Sequence, residues 1–297
     1  MTAMRHLLDI ESLTPTDLVE ILDLAEVRDP PQVLAGKGAA LVFEKPSNRT
    51  RNSTEMAVVA LGGHPVTMRG DEVGFGVRES SEDVARALAQ YHAVLGARVY
   101  DHRVLERMVA LNVVPVLNLL SERAHPLQAL ADLLTLRRHW GVLAGHRLAW
   151  VGDANNVALS LLAGCALAGV DVSLACPDGY GPPDEAVEAA RARGIDVHLG
   201  VDPREGVKGA EVVCTDTWVS MGQEEEAAQR REAFAGFSVD AALMEAAAPG
   251  AVFLHCLPAH RGEEVTAEVI DGPASLVWPE AANRMHAARG ALLWLLW

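Results

Sequence analysis

Cysteine, positive charge and long apolar runs are all in short supply in this 297-residue chain. The cysteines, at 165, 176, 214 and 256, form no CxxC pair and no zinc-ribbon spacing, so the sequence offers no metal-finger signature. They read as reduced thiols, and Cys165 and Cys176, set among apolar neighbours, read as small core residues. Lys and Arg number 25 against 40 Asp and Glu, a formal net charge of −15. A mean field of that sign repels phosphate backbones and anionic lipid, which argues against nucleic acid or a membrane surface as a nonspecific partner. The apolar tail Ala291–Trp297 falls far short of the roughly 20 residues that a membrane-spanning helix needs. No N-terminal stretch resembles a signal peptide, and the expectation is a cytoplasmic protein whose last helix packs back on its own fold.

What is present is an ordinary globular composition, half hydrophobic and 22% charged, with length enough for two domains. The first half alternates helix and strand signals. Helices are expected over Asp17 to Ala25, Ser53 to Leu61 and Ser81 to Gln90, and strands over Ala39 to Phe43, Pro65 to Met68 and Val113 to Asn118. A long helical stretch, Leu127 to Trp140, is followed by Gly141 and Gly145, where the pattern restarts. Strands are then expected at 148–151, 170–175, 195–199, 212–214 and 252–255, with helices over Ala158 to Ala168 and Asp184 to Arg193. This predicts an α/β protein of two open parallel-sheet domains covered by helices, 1–140 and 141–279, with 280–297 packing back on the first. In such sheets ligands gather at the carboxyl ends of strands.

Several polar segments follow strands. Ser47-Asn48-Arg49-Thr50-Arg51 opens a helix directly after the strand ending at Phe43. First-turn amides, two hydroxyls and two guanidinium groups suit a phosphate; the plainer reading is a Ser-capped helix with solvated arginines. Gly152-Asp153-Ala154-Asn155-Asn156 lacks the full dinucleotide fingerprint, since Asn155 stands near where a second glycine belongs. The two asparagines either bond a polar substrate or cap a helix. His125, held out of helical conformation by Pro126, either polarises a carbonyl with Gln128 nearby or serves the fold. Asp216 and Ser220 offer a carboxylate and a hydroxyl to an amino acid, or bond their own backbone. Cys256 ends a strand after His255 without zinc-like spacing, and reads as a substrate-contacting thiol in preference to a metal ligand.

In this order the segments resemble the aspartate/ornithine carbamoyltransferase family, over nearly the whole chain from Arg5-His6-Leu7-Leu8 to Glu280-Ala281-Ala282-Asn283-Arg284-Met285-His286. The motif Ser-Thr-Arg-Thr-Arg appears as Ser47 to Arg51, His-Pro-x-Gln as His125 to Gln128, and His-Cys-Leu-Pro as His255 to Pro258. Asp216 to Gly222 is similar to the Asp-x-x-x-Ser-Met-Gly loop of the ornithine branch. The resemblance implies transfer of a carbamoyl group from carbamoyl phosphate to L-ornithine, giving L-citrulline and phosphate in arginine biosynthesis. It implies a cleft between the domains as active site, no metal or organic cofactor, and a homotrimer or a multiple of trimers.

The same resemblance implies site residues. Ser47, Asn48, Arg49 and Thr50 hold the phosphate, Arg98 and His125 reach phosphate and carbonyl oxygen, and Gln128, the Leu257 carbonyl and Arg284 orient the carbamoyl group. Asn156, Asp216, Ser220 and Met221 grip ornithine, with Cys256 near its side-chain amine. Three positions depart from the family pattern: Asn48 replaces Thr, Gly74 replaces Gln, and Leu159 replaces His. Arg78 stands as the basic residue that a neighbouring subunit contributes. The competing expectations are another amine acceptor, such as putrescine or an acylated ornithine, and a weakened paralogue that binds ligands without turnover. Asp216 with Ser220-Met221-Gly222 weighs against another acceptor.

Overall fold

Short Leu- and Val-rich runs bounded by glycine or polar residues become parallel strands, and the stretches between them become the helices that carry the chain back. The computed structural model describes residues 4–219 and 224–297. They form two compact units, the first running to Leu134 and including Ala282–Trp297, the second Thr135–Ala281.

The first unit is built on a parallel sheet of β1 (Gly38–Phe43), β2 (His64–Arg69), β3 (His92–Arg98) and β4 (Val116–Leu120), in the order β2-β1-β3-β4. Phe43 stands opposite Arg98, and Arg98 opposite Leu120. The carboxyl ends of β1, β3 and β4 therefore lie side by side, and whatever follows them shares one edge of the sheet. Ala40, Val42, Leu95, Ala97, Leu105 and Val116 are buried together in one core cluster on this sheet. Each such Leu or Val contributes about 1.5–3 kcal/mol of burial energy.

β3 and the helix Arg103–Ala110 have no counterpart among the expected elements. Gly96 interrupts the apolar run of β3 because a Cβ there would meet Leu41 Cδ2 at 2.9 Å, so close sheet packing has removed the strand signal. β4 also begins later than expected, at Val116, after Pro115, which has no N–H to give a ladder.

The last helix, Val277–Leu296, begins in the second unit and ends in the first. Its tail is fixed on the helix Pro15–Glu26: Arg289 donates to the carbonyls of Ala25 and Val27, and a Cβ at Gly290 would meet the Ile21 carbonyl at 2.4 Å. Among the described residues no helix is long and apolar enough to cross a membrane.

The second unit carries β5 (Arg147–Val151), β6 (Asp171–Ala175), β7 (Val197–Gly200), β8 (Val212–Thr215) and β9 (Val252–His255), in the order β7-β6-β5-β8-β9. All pairings are parallel; Trp150 opposes Cys214 and Thr215 opposes His255. Phe234, Phe253, Val213 and Ile270 belong to one buried core cluster that includes residues of β8 and β9.

Candidate active site

The turn after β1 is a capped helix start. Ser47 has extended backbone and its Oγ accepts from the Thr50 N–H at 3.3 Å, opening the helix Asn48–Ala60. The remaining first-turn amides face the positive end of the helix dipole outward, where an anion is favoured. Of the two arginines expected there, Arg51 turns away: it pairs with Glu55 at 2.9 Å, one turn along the helix. Arg49 stays partly buried, and Asn48 accepts from Asn52 through its side-chain oxygen at 3.0 Å.

Arg98, the last residue of β3, is buried. His125 follows β4, at the entrance of the helix Pro126–Trp140, and is 5% exposed. Its pKa lies well below the ordinary 6.5, first because burial disfavours the imidazolium and then because Arg284, Arg98 and Arg49 repel a further positive charge. At neutral pH His125 is therefore an uncharged hydrogen-bonding group held in a cationic field. Lys45 lies in the same field; burial, and then Arg98, lowers its pKa, and its ammonium sits 4.4 Å from the Tyr100 ring centroid.

Arg284 is buried on the last helix and spans two others. It donates to Thr50 Oγ1 at 2.9 Å and to the side-chain oxygen of Gln128, whose amide in turn donates to Asp132 at 2.7 Å. Gln128 is thus fixed in one amide orientation. Asp132 belongs to none of the motifs, although its place four residues after Gln128 puts the two on one helix face.

Arg78 is exposed, and donates to the Glu72 carbonyl at 3.0 Å. The departure at Gly74 has a local cause. Gly74 has φ +69°, and a Cβ there would meet the Arg78 stem at 2.9 Å, so the space of a residue-74 side chain belongs to Arg78.

In the second unit Gly152, with φ +127°, turns the chain out of β5 to the helix Asn156–Ala168. Asn155 caps that helix: its side-chain oxygen accepts from the N–H groups of Val157 and Ala158 at 2.9 and 3.2 Å. With its oxygen so committed, the Asn155 amide donates to Asp216 Oδ2 at 2.8 Å. Asp216 follows β8 and is 7% exposed. Its Oδ1 accepts from the Thr217 N–H at 2.7 Å and from the Cys256 thiol at 2.9 Å. Asn156, the residue expected here, stands beside this group at the helix start, partly buried. The structure adds Asn155 as the residue that orients Asp216.

Cys256 leads into Leu257, a non-glycine residue at φ +59°, a strained left-handed conformation. The Leu257 N–H donates to His255 Nδ1 at 2.9 Å, which leaves the His255 Nε2–H for Glu264 at 3.2 Å. Two sets of potential ligand atoms lie within 4.8 Å of one another among the described residues: Asp216, His255 and Cys256, and His260, Glu263 and Glu264. In the first set both His255 nitrogens and the Cys256 thiol are already engaged in these hydrogen bonds, so an ion would have to break them. Ser220 and Met221 lie outside the described residues.

The family model for the carbamoyl-phosphate-binding domain of aspartate/ornithine carbamoyltransferases matches residues 5–138, and that for the Asp/Orn-binding domain matches 144–296. This chain belongs to the aspartate/ornithine carbamoyltransferase family. Among relatives, the ornithine carbamoyltransferase of Acidothermus cellulolyticus is 48% identical, the match covering 99% of this chain and 97% of that one. That of Thermus thermophilus is also 48% identical, covering 100% and 98%. Among solved structures, the ornithine carbamoyltransferase from Pyrococcus furiosus superposes with a TM-score of 0.94 at 41% identity, covering 99% of this chain and 97% of that one. The Thermus thermophilus enzyme superposes with a TM-score of 0.90 at 45% identity, covering 98% and 99%. The domain that the family assigns to carbamoyl phosphate is the one here carrying Arg49, Arg98 and His125, and the Asp/Orn domain is the one carrying Asp216 and Cys256.

Proposed function

We propose that this protein transfers the carbamoyl group of carbamoyl phosphate to the side-chain amine of L-ornithine, giving L-citrulline and phosphate for arginine biosynthesis. The observation that carries the reading is the pair of clusters, one cationic around a neutral buried His125, the other a held carboxylate beside a thiol. In this assignment Ser47, Asn48, Arg49 and Thr50 cradle the phosphate, with the first-turn amides that the Ser47 cap leaves open adding donors. Arg98 and neutral His125 donate to the carbonyl oxygen, where negative charge builds as the amine attacks. Donors already aimed at that oxygen stabilise the transition state more than almost any other device available to an enzyme. Gln128, Arg284 and the Leu257 carbonyl orient the carbamoyl group.

Asn156, Asp216, Ser220 and Met221 take the α-amino acid end of ornithine, and Cys256 lies near the attacking amine. The neutral amine forms the new C–N bond, the bond from carbon to phosphate oxygen breaks, and the departing phosphate accepts the proton. Attack needs an amine whose ordinary pKa is about 10.4 to lose its proton, and a dry site assists that. The arginines supply the cationic field that leaving phosphate requires, so we assign no metal or organic cofactor.

We extend the proposal to a homotrimer or a multiple of trimers, with Arg78 serving a neighbour's site. Supporting it, Met56 and Val59 stand about half exposed one turn apart on the helix Asn48–Ala60, an apolar pair suited to a subunit contact. Four cysteines outside any disulfide suit a reducing compartment, and we place the protein in the cytoplasm. The test is citrulline formation by purified protein with ornithine, putrescine and N-acetylornithine offered separately. Turnover confined to ornithine supports the proposal; preference for either other amine replaces it, and no carbamoylation of any of them points to a ligand-binding paralogue. Light scattering on the same sample reads the assembly.

A further inference from the structure

Arg230 belongs to none of the motifs, yet it is a buried cation held by several partners at once. It lies on the helix Ala227–Ala233 and is 4% exposed. Its Nε donates to the Trp218 carbonyl and its Nη2 to the Asp153 carboxylate, with Glu226 at 3.8 Å. The guanidinium carbon lies 4.9 Å from the Tyr180 ring centroid and 5.4 Å from that of Phe234. Burying a guanidinium carries a heavy desolvation cost before its partners offset it, and an apolar side chain of similar volume would fill this space as well. Packing alone therefore does not account for an arginine.

Its two partners do. Trp218 is two residues after Asp216, and Asp153 is two residues before Asn155, which holds Asp216 Oδ2. One guanidinium thus grips both loops, after β5 and after β8, that bring Asp216 and its orienting partner together. Its guanidinium pairs with Asp153 and has the Glu226 carboxylate at 3.8 Å. Asp153 has its pKa raised, first by burial, with Asp216 adding repulsion that Arg230 opposes.

We propose that Arg230 is a positioning residue for the amino-acid substrate, holding Trp218 and Asp153 so that the Asp216 carboxylate keeps its place. The inference rests on reading Asp216 as the ornithine clamp, and it assigns Arg230 no contact with substrate. The phosphate cradle around Arg49 belongs to the other unit and is no part of the inference.

The experiment compares Arg230→Met, which keeps the apolar stem, Arg230→Lys, which keeps the charge beside Asp153, and the double variant Arg230→Met with Asp153→Asn, which removes the stranded carboxylate. Ornithine KM and kcat, carbamoyl-phosphate binding by calorimetry, and thermal midpoint are read for each. Ornithine KM should rise by about ten- to a hundredfold in Arg230→Met, since misplacement of a binding group by about 1 Å has effects of up to that order. It should rise less in Arg230→Lys, while carbamoyl-phosphate affinity stays near wild type. The double variant should regain thermal midpoint without regaining ornithine KM, because the Trp218 tether is still missing. If Arg230→Met does not fold, the lysine and double variants carry the comparison. An unchanged ornithine KM in variants that only melt earlier overturns the inference and leaves a structural role. Recovery of KM in the double variant also overturns it, by placing the whole effect on the Asp153 charge. Absence of citrulline from the wild-type chain overturns the functional reading itself, and the inference with it.

Discussion

Asp216→Asn changes one atom and offers the sharpest test of the amino-acid clamp. The carboxylate accepts from the Asn155 amide at 2.8 Å and from the Thr217 N–H at 2.7 Å. An asparagine can satisfy only one of these. With its oxygen toward Thr217, its amide meets the Asn155 amide, donor against donor. Asn155 cannot turn to relieve this, because its own oxygen is committed to the N–H groups of Val157 and Ala158. Turned the other way, the new amide faces the Thr217 N–H and the Cys256 thiol, again donor against donor. Besides this local mismatch, the ammonium group of ornithine loses a charged acceptor. Hydrogen bonds to charged groups contribute about 1.5–3 kcal/mol, so ornithine KM should rise roughly 10- to 150-fold. Steady-state citrulline formation at saturating carbamoyl phosphate reads this, and calorimetry with carbamoyl phosphate should give wild-type affinity. An ornithine KM that does not move would refute the clamp; equal collapse of both affinities would show that Asp216 supports the fold and not the substrate.

Arg49→Ala should reduce turnover by about two orders of magnitude or more while shifting the thermal midpoint little, since a lost charge-assisted donor at the phosphate acts mainly on the transition state; an unchanged rate would remove Arg49 from the phosphate cradle. His125 is buried and uncharged, so the unfolded chain takes up a proton below its ordinary pKa of 6.5 while the folded chain does not. Its share of stability is therefore complete above that pH and declines on acidification toward the depressed folded value by about 1.4 kcal/mol per pH unit. Urea titrations should show this slope shrink in His125→Asn. Arg284→Met removes donors to Thr50 and Gln128 inside a buried network and should cost about 2–4 kcal/mol in chemical denaturation, together with carbamoyl-phosphate affinity. If Arg78 serves a neighbour, mixing Arg78→Ala and Arg49→Ala chains after subunit exchange should restore at most about a quarter of the sites, because closed cyclic symmetry pairs each chain with the next. No recovery would confine Arg78 to its own subunit.

The order of motifs carried the family and the parallel α/β class, because both are written in local pattern: apolar runs for strands, Ser47 for a cap, His-Pro for a helix entrance. Sequence spacing could also say that Arg49, His125, Asp216 and Cys256 each follow a strand, and the carboxyl ends of parallel strands are where side chains meet. What spacing does not contain is which side chain holds which. Arg51 has the same chemistry as Arg49 and sits two residues away, but the helix turn points it at Glu55. Asn155 and Asn156 are indistinguishable in composition, yet only the backbone exit from β5 makes Asn155 the cap whose free amide must face Asp216. β3 vanished from the pattern because Gly96 answers to Leu41, a neighbour on another strand. Arg230 had no local signature at all, since its partners Trp218 and Asp153 come from distant loops. Local sequence determines the elements and the chemistry available at their ends; the directed hydrogen bonds that select among equivalent residues exist only once strand order and packing have brought those ends together.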